Sequence, residues 1–271
     1  MTAAGKAPRR LVGALAVVAV VAAGAWAIAV QPMWPAGEAK GTVQVSSDQL
    51  RRDVEQLALT YGGRHHAHPG VLSRAAGYIE GRFRTSGARI EVDAYEVEGA
   101  TYRNVIARFG PAEGRPVVIG AHYDAEEETP GADDNASGVA GLLALADRFQ
   151  KSPPAVPVEL VAYSLEEPPY FRTEHMGSRR HARSLKAAGR QPRLVMVLEM
   201  IGYFADAPGS QRYPVPGLSA IYPDRGDFIG VVGNYGSMGQ VRKVKAAMRQ
   251  AGTVPVEAIV APSILPGVDF S

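Results

Sequence analysis

The segment VVIGAHYDAEEETPGADDNASG, Val117 to Gly138, sets one histidine and a run of carboxylates between an apolar strand and the start of a helix. Val117 to Gly120 is a short apolar run of the kind that forms a buried strand. His122 and Asp124 follow it two residues apart, and the period-two geometry of extended chain turns both side chains to the same side. A carboxylate there can accept one ring N–H of the imidazole and aim the other nitrogen at a metal. Eleven residues after His122 come Asp133 and Asp134, in a turn that begins at Pro130-Gly131 and ends in Asn135-Ala136-Ser137-Gly138. Acidic residues before a helix also act as caps, so the Asp-Asp pair alone does not establish a ligand. Joined to the His-x-Asp step, it reads as the core of a metal site.

Outward from this segment, strands are expected over 90–97, 104–109, 117–121, 158–164 and 194–200, from their apolar and alternating patterns. Helices fall over 137–150 and 178–188, the first with Val139, Leu142, Leu143, Ala146 and Phe149 inward. Strands alternating with helices imply an α/β sandwich with parallel central strands, whose ligand site lies at the carboxyl ends of those strands. His122, Glu166, Glu167 and Glu199 all stand at or just beyond such ends. Upstream, Ser46-Ser47-Asp48-Gln49 forms a capping box ahead of Leu50, Val54, Leu57, Ala58 and Tyr61 at helical spacing. A second helix over 72–84 carries Leu72, Ala75, Ala76, Ile79 and Phe83 on one face, with Gly87 as its stop. His65, His66 and His68 read as a surface loop, and His175 and His181 as loop and helix surface, with a substrate contact as the alternative for His175. A strand over 228–232, a helix over 239–251 with Val241, Val244 and Met248 inward, and a strand over 256–260 follow.

AHYD followed by PGADDNASG resembles the signature of the zinc exopeptidases related to bacterial leucine aminopeptidase, a group that includes glutamate carboxypeptidase and glutaminyl cyclase. LVAYSLEEPP (160–169), MGSRRHA (176–182) and VLEMIGYF (197–204) follow in the expected order, so the resemblance covers about residues 46–271. It implies a three-layer α/β sandwich with a mixed, centrally parallel sheet, the phosphorylase/hydrolase-like zinc peptidase fold. It further implies two zinc ions in the complete enzyme, held by His122, Asp133, Glu167 and Glu199 with Asp133 as the bridge. Glu166 would be the general base and Asp124 the partner that orients His122. This division suits the chemistry, because one carboxylate binds metal while its neighbour stays free to take a proton from water. Many relatives have aspartate where Glu199 stands. Relatives also continue with an Asp-His pair whose histidine is the last zinc ligand. No histidine follows Glu199 here, so the resemblance implies a domain incomplete at its C-terminus, a second zinc one ligand short and impaired activity.

At 271 residues and 46% hydrophobic content the chain suffices for one sizeable core. It has no cysteine, which leaves histidine and carboxylates as the metal ligands and excludes a disulfide framework. Met1 to Arg10 carries Lys6, Arg9 and Arg10 ahead of twenty uncharged residues, Leu11 to Val30. That run can span a bilayer, with the basic tail in the cytoplasm and the remainder periplasmic or extracellular. A cleaved signal peptide ending near Ala27-Ile28-Ala29 is the rival reading, and it makes the protein secreted. Residues 31–45 read as a linker and 46–271 as the zinc peptidase domain. Beyond residue 40 the chain holds 25 basic and 26 acidic residues, which gives no nucleic-acid signature. The arginine-rich stretch from Arg172 to Arg193 reads as a solvated helix face. The expected function is a membrane-tethered metallo-exopeptidase, an aminopeptidase acting on peptides with a free N-terminus. A one-zinc glutaminyl cyclase-like acyl transferase and a non-catalytic binding module are the alternatives.

Overall fold

The computed structural model describes residues 6–31, 45–214, 217–252 and 254–261. The first five residues of the basic tail, the expected linker except for positions 31 and 45, and the closing Leu265 to Ser271 lie outside them. The chain divides into two compact units, Gln44–Tyr203 and Met1–Val43 with Phe204–Phe270. Helix α1 (Lys6–Val30) opens the second of these. Its Leu11–Val30 stretch is twenty residues long and apolar, exposed from Leu11 to Trp26 and partly covered at its last turn, and is sufficient in length and composition to cross a membrane.

The unit Gln44–Tyr203 begins with α2 (Ser47–Glu55), whose N-cap Ser46 accepts the Gln49 amide through its side chain. The reciprocal half of the expected capping box is absent, because the Gln49 side chain donates to Asp53 instead. A π-helical turn, Gln56–Thr60, continues it. Helix α3 (Pro69–Thr85) starts three residues earlier than the apolar periodicity suggests, at a proline on its first turn, where a missing N–H has no cost. Strands β1 (Arg89–Val97) and β2 (Ala100–Phe109) form a hairpin. The turn between them has positive φ at both Glu98 and Gly99, and it extends β2 four residues upstream of the expected start. Then come β3 (Val117–His122), α4 (Gly138–Lys151), β4 (Val158–Tyr163), α5 (Gly177–Ala187) and β5 (Leu194–Val197).

The sheet order is β1-β2-β4-β3-β5, with β4, β3 and β5 mutually parallel and β1 and β2 antiparallel. Helices α3 and α4 cover one face, packing on Val158, Leu160 and Ala162 of β4 and on Ile119 and Ala121 of β3. Alternate residues Val118, Val161 and Tyr163 face the other way, with Leu185 of α5. Both faces of β3 and β4 are thus buried, as a parallel centre requires, and their carboxyl ends are the one place where polar groups can gather. The result is the mixed sheet between helical layers that the pattern implies.

One acid is buried within the sheet itself. Glu159 of β4 is 1% exposed, and its Oε1 takes Arg108 Nε at 2.8 Å and Arg190 Nη2 at 2.5 Å, with His181 Nε2 3.4 Å from Oε2. His181 is therefore buried, not on the helix surface: with Gly177 and Leu185 it forms the inner face of α5, and Tyr163 Oη stands 3.0 Å from its Nδ1. The arginine-rich stretch is in part the solvated face expected, with Arg172, Arg183, Lys186 and Arg193 exposed, and in part engaged by the fold. Arg180 stacks on the Tyr95 ring, Arg183 pairs with Glu174, and Arg190 reaches Glu159. Burial alone would raise the Glu159 pKa, but bonds from His181, Arg108 and Arg190 hold it down to about 2, against an ordinary value of 4.5. A depressed carboxylate stabilises the fold above its unfolded pKa, and that contribution is lost as pH falls from about 4.5 through about 2. The shift corresponds to about 3 kcal/mol. Urea unfolding at pH 6 and pH 3 should show the wild type losing about 2 kcal/mol more than Glu159→Gln loses, because the remainder goes only as pH falls further, through about 2. Equal losses in the two proteins would assign acid sensitivity elsewhere.

In the other unit, β6 (Ile229–Gly233) and β7 (Val256–Val260) pair in parallel, and α6 (Met238–Ala251) lies between them in sequence. Val241 packs with Ala258 and Val260.

Candidate metal centre

Strand β3 ends at His122, which is 2% exposed, and the next residues are held without regular pairing. Their anchor is Arg64, a fully buried residue that sequence reasoning did not single out. Its guanidinium donates to the carbonyls of Tyr123 (2.7 Å), Leu57 (3.0 Å), Pro130 (2.8 Å) and Gly131 (2.5 Å). One planar cation thus ties the strand end to the start of the Asp-Asp turn. Gly131 has φ +58°, and a Cβ there would lie 2.6 Å from Arg64 Nη2, so glycine is required on both counts. Burial lowers the Arg64 pKa to about 10 against the pull of Asp124, Asp134 and Glu167, and the group stays charged at neutral pH. His65 beside it is also buried, at 3% exposure, so only part of the histidine cluster is the surface loop expected.

The two aspartates of the turn point to different partners. Asp133 Oδ1 accepts the main-chain amides of Gly202 (2.8 Å) and Tyr203 (3.0 Å). Asp134 Oδ1 lies 3.0 Å from His122 Nε2. Backbone angles at Asp134 and Asn135 are non-helical, which separates the two neighbouring side chains. The structure thus brings Asp134, in the place expected of Asp133, to His122. Asn135, another residue that sequence reasoning passed over, is fully buried. It donates to Leu198 O at 2.8 Å and Glu199 Oε2 at 2.9 Å, and accepts the amides of Gly138 and Met200. Ser137 Oγ accepts the Ile201 amide at 3.0 Å. Leu198 leaves the ladder after donating to Gly120 O, so β5 is shorter than expected and Glu199 projects beyond it.

Around His122 Nε2 the structure gathers Asp134 Oδ1 at 3.0 Å, Glu199 Oε1 at 3.3 Å and Glu166 Oε2 at 3.8 Å. His122, Asp134 and Glu199 form one group whose ligand atoms lie within 4.8 Å of one another, and His122, Glu166 and Glu167 form a second. One imidazole N–H satisfies one acceptor, so this carboxylate excess around a single nitrogen suits a divalent cation. Asp134 Oδ1 is buried and has no hydrogen-bond partner despite its approach to His122. The 3.3 Å separation to Glu199 equals the edge of a tetrahedron with bonds of about 2.0–2.1 Å, close to 3.3–3.4 Å, and the 3.0 Å separation to Asp134 is a little shorter. The donor set, one nitrogen with carboxylate oxygens and no sulfur, fits zinc. Behind it, Asp124 Oδ1 lies 3.5 Å from His122 Nδ1, and Asp124 Oδ2 accepts the Glu167 amide at 3.0 Å. Asp124 therefore touches both the histidine and the glutamate segment.

Burial pushes Glu166 up to about 7, against the attraction of His122, with Asp124, Glu199 and Asp134 adding to the rise. Glu167 is pushed up to about 7 by burial and by Asp134, Asp124 and Glu166, again opposed by His122. Burial opposes charge on His122, yet Asp124, Asp134 and Glu199 together raise it well above the usual range. Asp124 is held low by His122 and by the Glu167 and Glu166 amides, despite its burial.

The profile of peptidase family M28 matches residues 104–221, the stretch that contains every residue of this cluster. YfbL of Escherichia coli, an uncharacterized protein, is 46% identical over 234 residues, spanning 83% of this chain and 72% of its own length. The chain belongs to peptidase family M28. Among solved structures, a Zn-dependent exopeptidase from Parabacteroides distasonis is similar at 18% identity and TM-score 0.56, covering 82% of this chain and 80% of its own. A glutaminyl cyclase from Bacteroides thetaiotaomicron, bound to N-acetylhistamine, is similar at 20% identity and TM-score 0.51, covering 62% of this chain, which spans 65% of the cyclase. At such identities the likeness is one of fold. As an M28 chain, the protein carries the metallopeptidase architecture with a zinc-compatible acid cluster at the carboxyl end of its parallel strands.

Proposed function

We propose that the chain is a membrane-tethered zinc exopeptidase, an aminopeptidase that hydrolyses the bond after a free N-terminal residue. The observation that carries this reading is the convergence of Asp134, Glu199 and Glu166 on one nitrogen of His122 within 3.8 Å. In this assignment His122, Asp134 and Glu199 hold one zinc, and Glu167 with Asp134 serves a second. Zinc, when bound, acts as a Lewis acid on a carbonyl and makes water a nucleophile at neutral pH. Glu166, farthest of the three from His122, accepts the proton of the attacking water and returns it to the departing amine as the C–N bond breaks. Asp124 orients the ring of His122 and, through the Glu167 amide, the glutamate pair. Tethering rests on α1, whose twenty-residue apolar stretch is exposed from Leu11 to Trp26, and puts the catalytic unit outside the cytoplasm.

The test is a parallel assay of the purified, zinc-loaded protein. Leucine released from leucine amide supports the aminopeptidase. Pyroglutamate formed from an N-terminal glutamine peptide, without leucine release, replaces it by the cyclase. Zinc binding with neither product leaves only the binding module.

A further inference from the structure

Helix α1 ends in a set of side-chain contacts made within its own unit. A helix leaves its last carbonyls unpaired and carries partial negative charge there. Gln31 Nε2 donates to Ile28 O at 2.5 Å, Lys245 Nζ donates to Val30 O at 3.2 Å, and Arg242 Nε donates to Gln31 Oε1 at 3.1 Å. Both cations come from α6. That helix, MGQVRKVKAAMRQA, holds Arg242, Lys243, Lys245 and Arg249 and no acidic residue. Arg242, Lys245 and Arg249 lie three and four residues apart, which aligns them along one flank. Lys245 is consumed internally, since it is 2% exposed and its Nζ lies 3.7 Å from Glu257 of β7. Arg242 and Lys243 are exposed, and Arg249 is half-buried.

The twenty residues from Leu11 to Val30 are about 30 Å long as a helix, the thickness of the hydrocarbon layer. Val30 O therefore falls at the edge of that layer, and the α6 flank bonded to it falls at the level of the lipid phosphates. We propose that α6 is an interfacial element whose Arg242, Lys243 and Arg249 bind anionic phospholipid headgroups and seat the β6–α6–β7 unit on the bilayer. This rests on the reading of α1 as a retained anchor. The occupant follows from charge and place: unopposed cations stand beside the end of a membrane-length helix. Each basic residue close to an anionic surface strengthens the contact about fivefold, and salt weakens it.

The full chain, reconstituted in nanodiscs of phosphatidylcholine alone or mixed equally with phosphatidylglycerol, tests the proposal. Acylation of the Lys243 amine by a water-soluble reagent is followed by peptide mass spectrometry. The expected result is labelling several-fold slower in the anionic discs, restored by high salt, and less protected in the Arg242→Gln/Arg249→Gln variant. Equal labelling in both discs, with α1 still embedded, overturns the headgroup contact alone. An N-terminus found cleaved in protein recovered from membranes overturns the anchor and, with it, this contact.

Discussion

Glutamine in place of Glu166 should leave zinc content unchanged and lower turnover by about 10²–10⁴-fold, the usual contribution of general-base catalysis. The geometry separates Glu166 from the ligands. Its Oε2 stands 3.8 Å from His122 Nε2, whereas Asp134 and Glu199 approach to 3.0 and 3.3 Å. Glutamine keeps the size of the side chain and one acceptor oxygen, and removes the negative charge together with the ability to take a proton. Metal analysis of the purified variant and its rate on leucine amide provide the two readings needed. A fall in zinc that tracks the fall in rate would make Glu166 a ligand and leave the base unassigned.

The second large effect separates the neighbouring aspartates. Asp134→Asn should weaken zinc binding by more than the 10–100-fold typical of residues behind the ligands, and activity should fall with it. Asp133→Asn should retain zinc, because the amide oxygen of asparagine still accepts the Gly202 and Tyr203 amides that Asp133 now holds. Zinc titration of the two variants against the wild type reads both. The opposite pattern, with zinc lost from the Asp133 variant and kept by the Asp134 variant, would return the ligand to Asp133.

What separates the two aspartates is local. An Asp-Asp pair before a helix says that carboxylates are present, but which of them faces the histidine depends on backbone angles at Asp134 and Asn135 that no residue type announces. Much else was readable. The inward positions of α3 and α4 follow from helical periodicity and are buried as expected, except Phe149, which is partly buried against the core. His122, Asp124, Glu166 and Glu199 fall at strand ends, and the fold brings them together. Arg64 was not readable, since a charged residue beside a glycine pair looks like loop until carbonyls 7, 59, 66 and 67 residues away converge on it. Asn135 belongs to the same class: its partners on the Leu198–Met200 segment are 63–65 residues distant. His181 was placed outside because neither a lone histidine nor a glutamate in an apolar strand reveals the other, and only the packing of α5 on β4 joins them.

The grip of Asp133 on Gly202 and Tyr203 carries a kinetic meaning. Together with the Ser137–Ile201 bond, it fastens the segment bearing Glu199 to the turn bearing Asp134. For the two carboxylates to part, these bonds must open together. Bonds to a charged group contribute about 1.5–3 kcal/mol each, so the parted state holds on the order of one molecule in a hundred or fewer. An ion arriving between those carboxylates would meet them already spaced, so its capture would include no wait for the two segments to come together.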